Sequence, residues 1–150
     1  MNNGAPAARK AALAAWIGLF DVLREGRLPA REALAACATE DVLFRDPFNE
    51  VRGHDAMLRV LAHTLGNIRD VRLTVLDTAW SGDVAFIKWE LGGRVKYLGD
   101  WRVTGMSEIT FAADGRVCAH VDYWDAAGGL YARLPLIGPL MRGLLALGRA

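Results

Sequence analysis

The chain has 150 residues, of which 53% are hydrophobic, and 18 basic and 17 acidic side chains leave a formal net charge of +1. That length fits one domain. Because charges of both signs are interspersed, the chain lacks the basic stripe that phosphate backbones select, and we expect no nucleic acid as a partner.

Helices are predicted in the first half of the chain. Residues 1–7 are predicted to be a disordered lead, and apolar residues then recur at helical spacing. Three helices are predicted in this way, over residues 8–25, 30–38 and 55–65. Between the last two, "DVLF" indicates a strand that runs into an Asp-Pro turn at Asp46. The first residues lack the long apolar region of a signal peptide and are too polar to span a bilayer, so we expect a cytoplasmic protein.

Beyond Gly66 the pattern becomes that of strands. Strands are predicted over residues 70–80 and 84–91, with one or two more over 97–111 and a last long one over 116–124 after the turn "AADG". Helices followed by an antiparallel run of strands indicate an α+β domain with helices on one face of a curved sheet. Asp125 is predicted to cap a following helix that begins "AAGG".

The C-terminal residues form an apolar tail. Pro135 and Pro139 interrupt it, and Leu140, Leu144 and Leu147 then form a stripe at helical spacing. Three roles stay open: a lid over the domain's own cavity, a contact in a dimer, and a helix on a membrane surface. Because the stripe is accompanied by only two arginines, we do not expect membrane contact by the tail.

Two segments resemble the NTF2-like superfamily: "FRDPFNEVRG" after the helices, and "DGRVCAHVDYWD" at the end of the strands. That superfamily includes ketosteroid isomerase, limonene-1,2-epoxide hydrolase and the SnoaL-like polyketide cyclases. The resemblance implies an NTF2-like domain over residues 8–134 and a helical tail over 135–150. It also implies the fold: an α+β cone in which a strongly curved antiparallel sheet wraps around a pocket, with N-terminal helices and a C-terminal apolar helix.

The resemblance to ketosteroid isomerase implies a role for Asp46. The general base of that enzyme is the Asp of an Asp-Pro pair at the end of a strand, and Asp46 matches this position. The isomerase also needs a Tyr on its first helix and a protonated Asp on a later strand, positions that fall near Leu19 and at Ser107 in this sequence. Since both donors are replaced, we do not expect steroid isomerisation by the same mechanism.

The stretch "VDYWDAAGGLYARLP" is similar to the end of limonene-1,2-epoxide hydrolase, and Asp122 matches that family's catalytic carboxylate. Its triad also uses an Arg and an Asp two residues apart on an earlier strand. Lys88 and Glu90 correspond to that pair if the intervening hairpin differs by one residue. A water-positioning Asn of the family corresponds to Asp46, and a Tyr to Phe44. The resemblance therefore implies an acid–base–acid arrangement.

Strand residues two apart point to one face, so we expect Lys88 and Glu90 to share a cavity wall and His120 to lie beside Asp122. Such groups can activate a water and donate a proton. Each has a plainer alternative that stays open. Asp46 could cap its own turn, Asp122 could hold the sheet through a salt bridge, and His120 could be structural. Lys88 with Glu90 could be an ion pair on the outer face.

These patterns predict a pocket for a small hydrophobic molecule. We expect aromatic side chains in its wall: Trp16, Phe20, Phe44, Tyr97 and Trp124. The predicted chemistry is cofactor-independent acid–base catalysis of the epoxide hydrolase, isomerase or cyclase type. The alternative is a binding or scaffold protein without turnover.

Asp46 and Asp122 are the first catalytic candidates, and Lys88, Glu90 and His120 the second. His54 and His63, nine residues apart, and the distant Cys37 and Cys118 offer no metal-ligand spacing, so we expect no metal and free thiols. A homodimer packed through the sheet is expected.

Overall fold

Helices occupy the first part of the chain in the computed structural model, which describes residues 7–149. Helix α1 (Ala7–Gly18) continues into a 3-10 helix (Leu19–Glu25), which ends where Gly26 takes a left-handed φ of 70°. Helices α2 (Arg31–Cys37) and α3 (His54–Asn67) follow. Of the predicted disordered lead, residues 1–6 lie outside the described residues, and Ala7 already belongs to α1.

Residues 7–149 contain one six-stranded sheet in the order β2-β1-β6-β5-β4-β3. The strands are β1 (Ala38–Arg45), β2 (Glu50–Arg52), β3 (Ile68–Ser81), β4 (Val84–Val95), β5 (Gly99–Phe111) and β6 (Val117–Trp124). The α+β cone is confirmed. Two details differ from the expected antiparallel run: the short β2 was not predicted, and β1 pairs with β6 in parallel.

Buried and exposed residues alternate along the strands, and the buried set marks the face of the sheet that the helices cover. On β5, every second residue from Trp101 to Phe111 is buried, among them Val103, Ser107 and Ile109, and the residues that alternate with them are more exposed. Trp16 of α1 and Met57 of α3 are fully buried in the same core. The core therefore lies between the helices and the inner, concave face of the sheet, and residues 7–149 leave much of the outer face exposed. β-bulges in β3 add to the bend of the sheet.

An exposed ion pair ties α2 to α3. Arg31 Nε donates to Asp55 Oδ1 at 2.7 Å. That hydrogen bond and the charge of Arg31 lower the pKa of Asp55 below its usual range. The contribution to stability is present above the ordinary Asp range and is lost as the pH falls through the lowered value. Because the pair lies at the surface, its contribution is small.

The tail folds back on itself after the last strand. Helix α4 (Ala126–Gly129) is capped by Asp125, whose Oδ1 accepts from the Gly128 N–H at 2.8 Å, so the predicted cap is confirmed. A short 3-10 turn follows, and helix α5 (Gly138–Ala146) is held to it by a hydrogen bond of 2.6 Å from Arg142 Nη1 to the Ala132 carbonyl. Of the helices within residues 7–149, none has the length and hydropathy needed to cross a bilayer.

Candidate functional site

A cavity of about 460 Å³ lies between the helices and the concave face of the sheet, and most of its lining is apolar. Four of the five aromatic residues proposed for the pocket line it: Trp16, Phe20, Phe44 and Trp124. Tyr97 does not, and its expected place is corrected. It lies in the turn between β4 and β5 with a left-handed φ of 68°, and 77% of the side chain is exposed.

A polar cluster interrupts this apolar wall where β5 and β6 pair. Asp122 on β6 stands directly opposite Ser107 on β5, and the Ser107 hydroxyl donates to Asp122 Oδ1 at 2.5 Å. Trp89 Nε1 on β4 donates to Ser107 Oγ at 2.7 Å. His120 Nε2 lies 2.8 Å from the same Asp122 Oδ1. All four residues line the cavity.

Trp16 determines which nitrogen of His120 carries the proton. Its indole N–H points at His120 Nδ1 at 3.1 Å, and an indole nitrogen can only donate. Nδ1 must therefore accept, so the neutral ring carries its hydrogen on Nε2 and donates it to Asp122. Both ring nitrogens are thus engaged, and His120 positions Asp122 instead of standing free as a base.

Asp122 keeps one unengaged carboxylate oxygen. Oδ1 accepts from both Ser107 and His120. For Oδ2, residues 7–149 supply no hydrogen-bond donor, and this oxygen is not among their buried unsatisfied atoms. The side chain is 19% exposed, on a residue that lines the cavity. The site therefore presents a fixed carboxylate with one oxygen that no donor within residues 7–149 holds, on a residue that lines the mostly apolar cavity.

Asp46 lines the same cavity, but its carboxylate is engaged by the residues of its own turn. Its Oδ1 accepts from the backbone N–H groups of Phe48 and Asn49, each at 2.7 Å, and the Asn49 side-chain amide contacts both oxygens at 3.0 and 3.1 Å. This is the turn-capping arrangement that the Asp-Pro sequence left open. Asp46 and Asp122 also share a shallow surface cleft with Arg45 and Tyr123.

Lys88 and Glu90 lie on the outer face of the sheet, so their expected place on the cavity wall is corrected. The alternating residues Ile87, Trp89 and Leu91 line the cavity instead. Lys88 is exposed, and Glu90 Oε1 lies 3.4 Å from Arg102 Nη1. The acid–base–acid arrangement is therefore not assembled around Asp122, because the period of two on β4 sends the two charged residues outward.

Several functional candidates were missed from the sequence. In the sequence, Ser107 stands only at the position of a family Asp, and its direct pairing with Asp122 depends on the register of β5 against β6. At the end of α3, His63, Thr64 and Asn67 also line the cavity. The sequence does indicate which residues of β4 face the cavity, because residues 87, 89 and 91 are the more apolar of the two alternating sets.

The tail reaches the cavity only in part. Leu130 and Leu134 line it, whereas no residue of α5 does. Leu140, Leu144 and Leu147 are 68%, 53% and 83% exposed. The segment before α5 therefore closes one side of the cavity, and the leucine stripe faces away from it.

Residues 7–149 contain no group of three or more His, Cys, Asp or Glu side chains placed to hold a metal ion. Cys37 and Cys118 are free thiols, and burial raises the pKa of each above its ordinary value. Such thiols are less ionised and less reactive than exposed ones.

An open, curved sheet with helices over its concave face and a cavity between them defines an NTF2-like domain. Within that superfamily, the chain belongs to the SnoaL-like domain family, whose model matches residues 16–120. A search of the curated proteins finds no match to the sequence.

Three solved structures illustrate the similarity of fold. A candidate SnoaL-like polyketide cyclase from Jannaschia sp. CCS1 is 15% identical with a TM-score of 0.73, over 89% of this chain and 99% of that one. A Catenulispora acidiphila protein with a ketosteroid isomerase-like fold, in complex with trimethylamine, is 18% identical with a TM-score of 0.66, over 79% and 92%. A limonene-epoxide-hydrolase-like epoxide hydrolase from M. tuberculosis is 17% identical with a TM-score of 0.63, over 92% and 95%.

Proposed function

We propose that the protein binds a small, largely apolar molecule in its cavity and catalyses a proton transfer on it, with Asp122 as the general base. The observation that carries this proposal is the free Oδ2 of a carboxylate whose Oδ1 is held by Ser107 and His120. Orientation by two donors is what a base requires to meet a bound substrate in one geometry.

The three reactions that the family resemblance implies share this first step. In epoxide hydration, Oδ2 takes a proton from the water that attacks the ring carbon. In isomerisation or aldol-type cyclisation, it takes a proton from the carbon next to a carbonyl group, and the electron pair moves toward the carbonyl oxygen. The Asp122 carboxyl group then returns the proton to oxygen or carbon. No redox cofactor is needed to balance any of these steps.

A hydrogen-bond donor for the developing oxygen charge stands on the same strand. Trp124 lies two residues beyond Asp122 and lines the same cavity. For its indole N–H, residues 7–149 offer no acceptor, whereas the indoles of Trp16, Trp89 and Trp101 all donate within the protein. The proposed roles are therefore Asp122 as base and Trp124 as donor to the substrate oxygen.

The test is turnover of a substrate panel by Asp122→Asn. The panel contains a terpene epoxide, a β,γ-unsaturated steroid ketone and an aromatic polyketide with an uncyclised side chain. Asparagine keeps an oxygen that accepts from Ser107 and His120 but cannot accept a proton, so we expect kcat to fall by about 10²–10⁴-fold with little change in stability.

Asp46→Asn is the matched control, because Asp46 also lines the cavity. The Asn49 side-chain amide donates to both of its oxygens, and asparagine would set a second amide nitrogen against that amide, so we expect this variant to lose stability and keep most of its kcat. A loss of kcat confined to Asp46→Asn would overturn the assignment of the base.

The second candidate is a protein that binds such a molecule without turnover. The observation that favours it is the commitment of most polar groups near Asp122 to internal hydrogen bonds, including both nitrogens of His120. Absence of turnover across the panel, together with quenching of the cavity tryptophans by the same compounds, would support this candidate over the enzyme.

A further inference from the structure

A second polar site lies on the cavity wall, away from Asp122. His63, Thr64 and Asn67 occupy the end of α3 and line the cavity there. The Thr64 hydroxyl donates back to the Val60 carbonyl at 3.1 Å, a bond internal to the helix. His63 and Asn67 are exposed, so they form part of the rim.

Hydrogen bonds between His63 and Asn67 define what this rim can offer. Asn67 Nδ2 donates to the His63 carbonyl at 2.8 Å and lies 3.3 Å from His63 Nε2. A carbonyl only accepts, so the amide nitrogen faces it and Oδ1 points elsewhere. His63 Nε2 then accepts from the amide, which places the hydrogen of the neutral ring on Nδ1. The rim therefore presents one acceptor, Asn67 Oδ1, and one donor, His63 Nδ1–H, and residues 7–149 supply a partner to neither.

The pairing of β4 with β3 and β5 gives the distance between the His63–Asn67 pair and Asp122. Ile68, which follows Asn67, pairs with Val95 of β4. Ser107, which holds Asp122, pairs with Ile87 of the same strand. Val95 and Ile87 are eight residues apart on β4, which corresponds to about 26 Å along an extended strand. The curvature of the sheet makes the direct distance shorter. Apolar residues, among them Trp89 and Leu91, line the cavity between them.

We propose that His63 and Asn67 form a second recognition point for the ligand, which is therefore an elongated, apolar molecule with a hydroxyl group at the end remote from Asp122. A hydroxyl group can donate to Asn67 Oδ1 and accept from His63 Nδ1–H at once, whereas an ether or a methyl group cannot. This inference rests on the cavity binding in the proposed function and narrows the ligand to a class.

The experiment measures dissociation constants for two matched series of probes, primary alcohols and α,ω-diols of eight to sixteen carbons. Quenching of the tryptophans that line the cavity reports binding. In the wild-type protein, the gain of the diol over the alcohol is expected to pass through a maximum at the length that reaches both ends. At that length we expect about tenfold tighter binding, the size of one or two net hydrogen bonds.

The double variant His63→Leu with Asn67→Leu is expected to lose the diol gain and to bind the primary alcohols as well as the wild-type protein does. Arg59→Leu is the control, because it makes the same kind of change at an exposed position of α3 outside the cavity lining. It should leave the gain unchanged.

The outcomes separate the two proposals. A gain that has no optimum length, or that survives in the double variant, overturns the second recognition point while cavity binding stands. If no probe of either series quenches the tryptophans of the wild-type protein, cavity binding itself fails, and the proposed function fails with it.

Discussion

Trp16 affects the orientation of the Asp122 carboxylate through an intermediate residue, His120. It does not contact Asp122, yet its N–H occupies His120 Nδ1 and so directs the other ring nitrogen toward the carboxylate. Trp16 is fully buried, and its ring lies edge-on to Phe20 at 5.4 Å between centroids. Packing of α1 against the sheet therefore selects a histidine tautomer on β6.

Trp16→Phe tests this dependence. The change leaves His120 Nδ1 without its donor in a buried site, which we expect to cost about 1–3 kcal/mol of the free energy of unfolding. It should also let the His120 proton redistribute between the two nitrogens. Denaturant unfolding measures the first effect, and the imidazole nitrogen shifts in a ¹H–¹⁵N spectrum measure the second.

Trp101→Phe is the control for the loss of indole area. Trp101 donates to the Gly129 carbonyl and not to His120, so this variant should lose stability without altering the His120 nitrogen shifts. Unchanged shifts in Trp16→Phe would show that the tautomer is set by something other than the indole.

At the scale of elements, the site depends on how closely β4 and β5 approach. Gly105 of β5 stands directly opposite Trp89 of β4, and the Trp89 ring lies across it. A Cβ built at Gly105 would come within 2.4–2.9 Å of three ring atoms of Trp89. The glycine therefore leaves room for the ring whose N–H holds Ser107, which in turn holds Asp122.

Gly105→Ala is expected to displace the Trp89 ring. Overpacking of this kind typically costs about 1–3 kcal/mol, and we expect the loss of the Trp89–Ser107 hydrogen bond to lower kcat on any substrate that the wild type turns over. Gly92→Ala is the matched control on β4, because its nearest atom, the Trp101 carbonyl oxygen, would lie at an ordinary 3.5 Å. Thermal unfolding of both variants compares them, and equal losses of stability would contradict the role assigned to the ring.

The elements also show how far the sequence could predict this site. Helices and strands were readable because apolar spacing is a local property, and the family resemblance supplied the way they pack. On β4, matching Lys88 and Glu90 to a family triad conflicted with the apolar set at 87, 89 and 91, and the apolar set faces the cavity. Burial of that set outweighed the similarity in charge.

Other parts of the site depend on contacts between distant segments. Ser107 meets Asp122 through strand register, and His63 reaches the cavity through the way α3 lies over the sheet. Neither relation leaves a local pattern in the sequence. The Asp-Pro turn is the converse case, because the Asp46 side chain bonds to residues two and three positions on, and that alternative could be stated in advance.

At the scale of the whole molecule, the outer face of the sheet carries apolar side chains that residues 7–149 leave exposed. Lys88, Met106 and Tyr123 are direct neighbours across β4, β5 and β6. Met106 is 47% and Tyr123 51% exposed. The leucine stripe of α5 is a second exposed apolar surface. Such surfaces commonly mark association sites, so the expected homodimer has two possible faces.

Met106→Asp distinguishes the two faces. We expect the wild-type protein to be a dimer of 16.3 kDa chains joined through the outer face of the sheet. A charge placed at the centre of that contact should weaken dimerisation at least about thirtyfold, the equivalent of about 2 kcal/mol. Light scattering after size-exclusion chromatography, across a dilution series, measures the mass.

Leu140→Asp places the same charge on α5, where Leu140 is 68% exposed, and should leave the dimer intact. A monomeric Leu140→Asp beside a dimeric Met106→Asp would assign the contact to the tail instead, and a monomeric wild-type protein would exclude the homodimer at the concentrations tested.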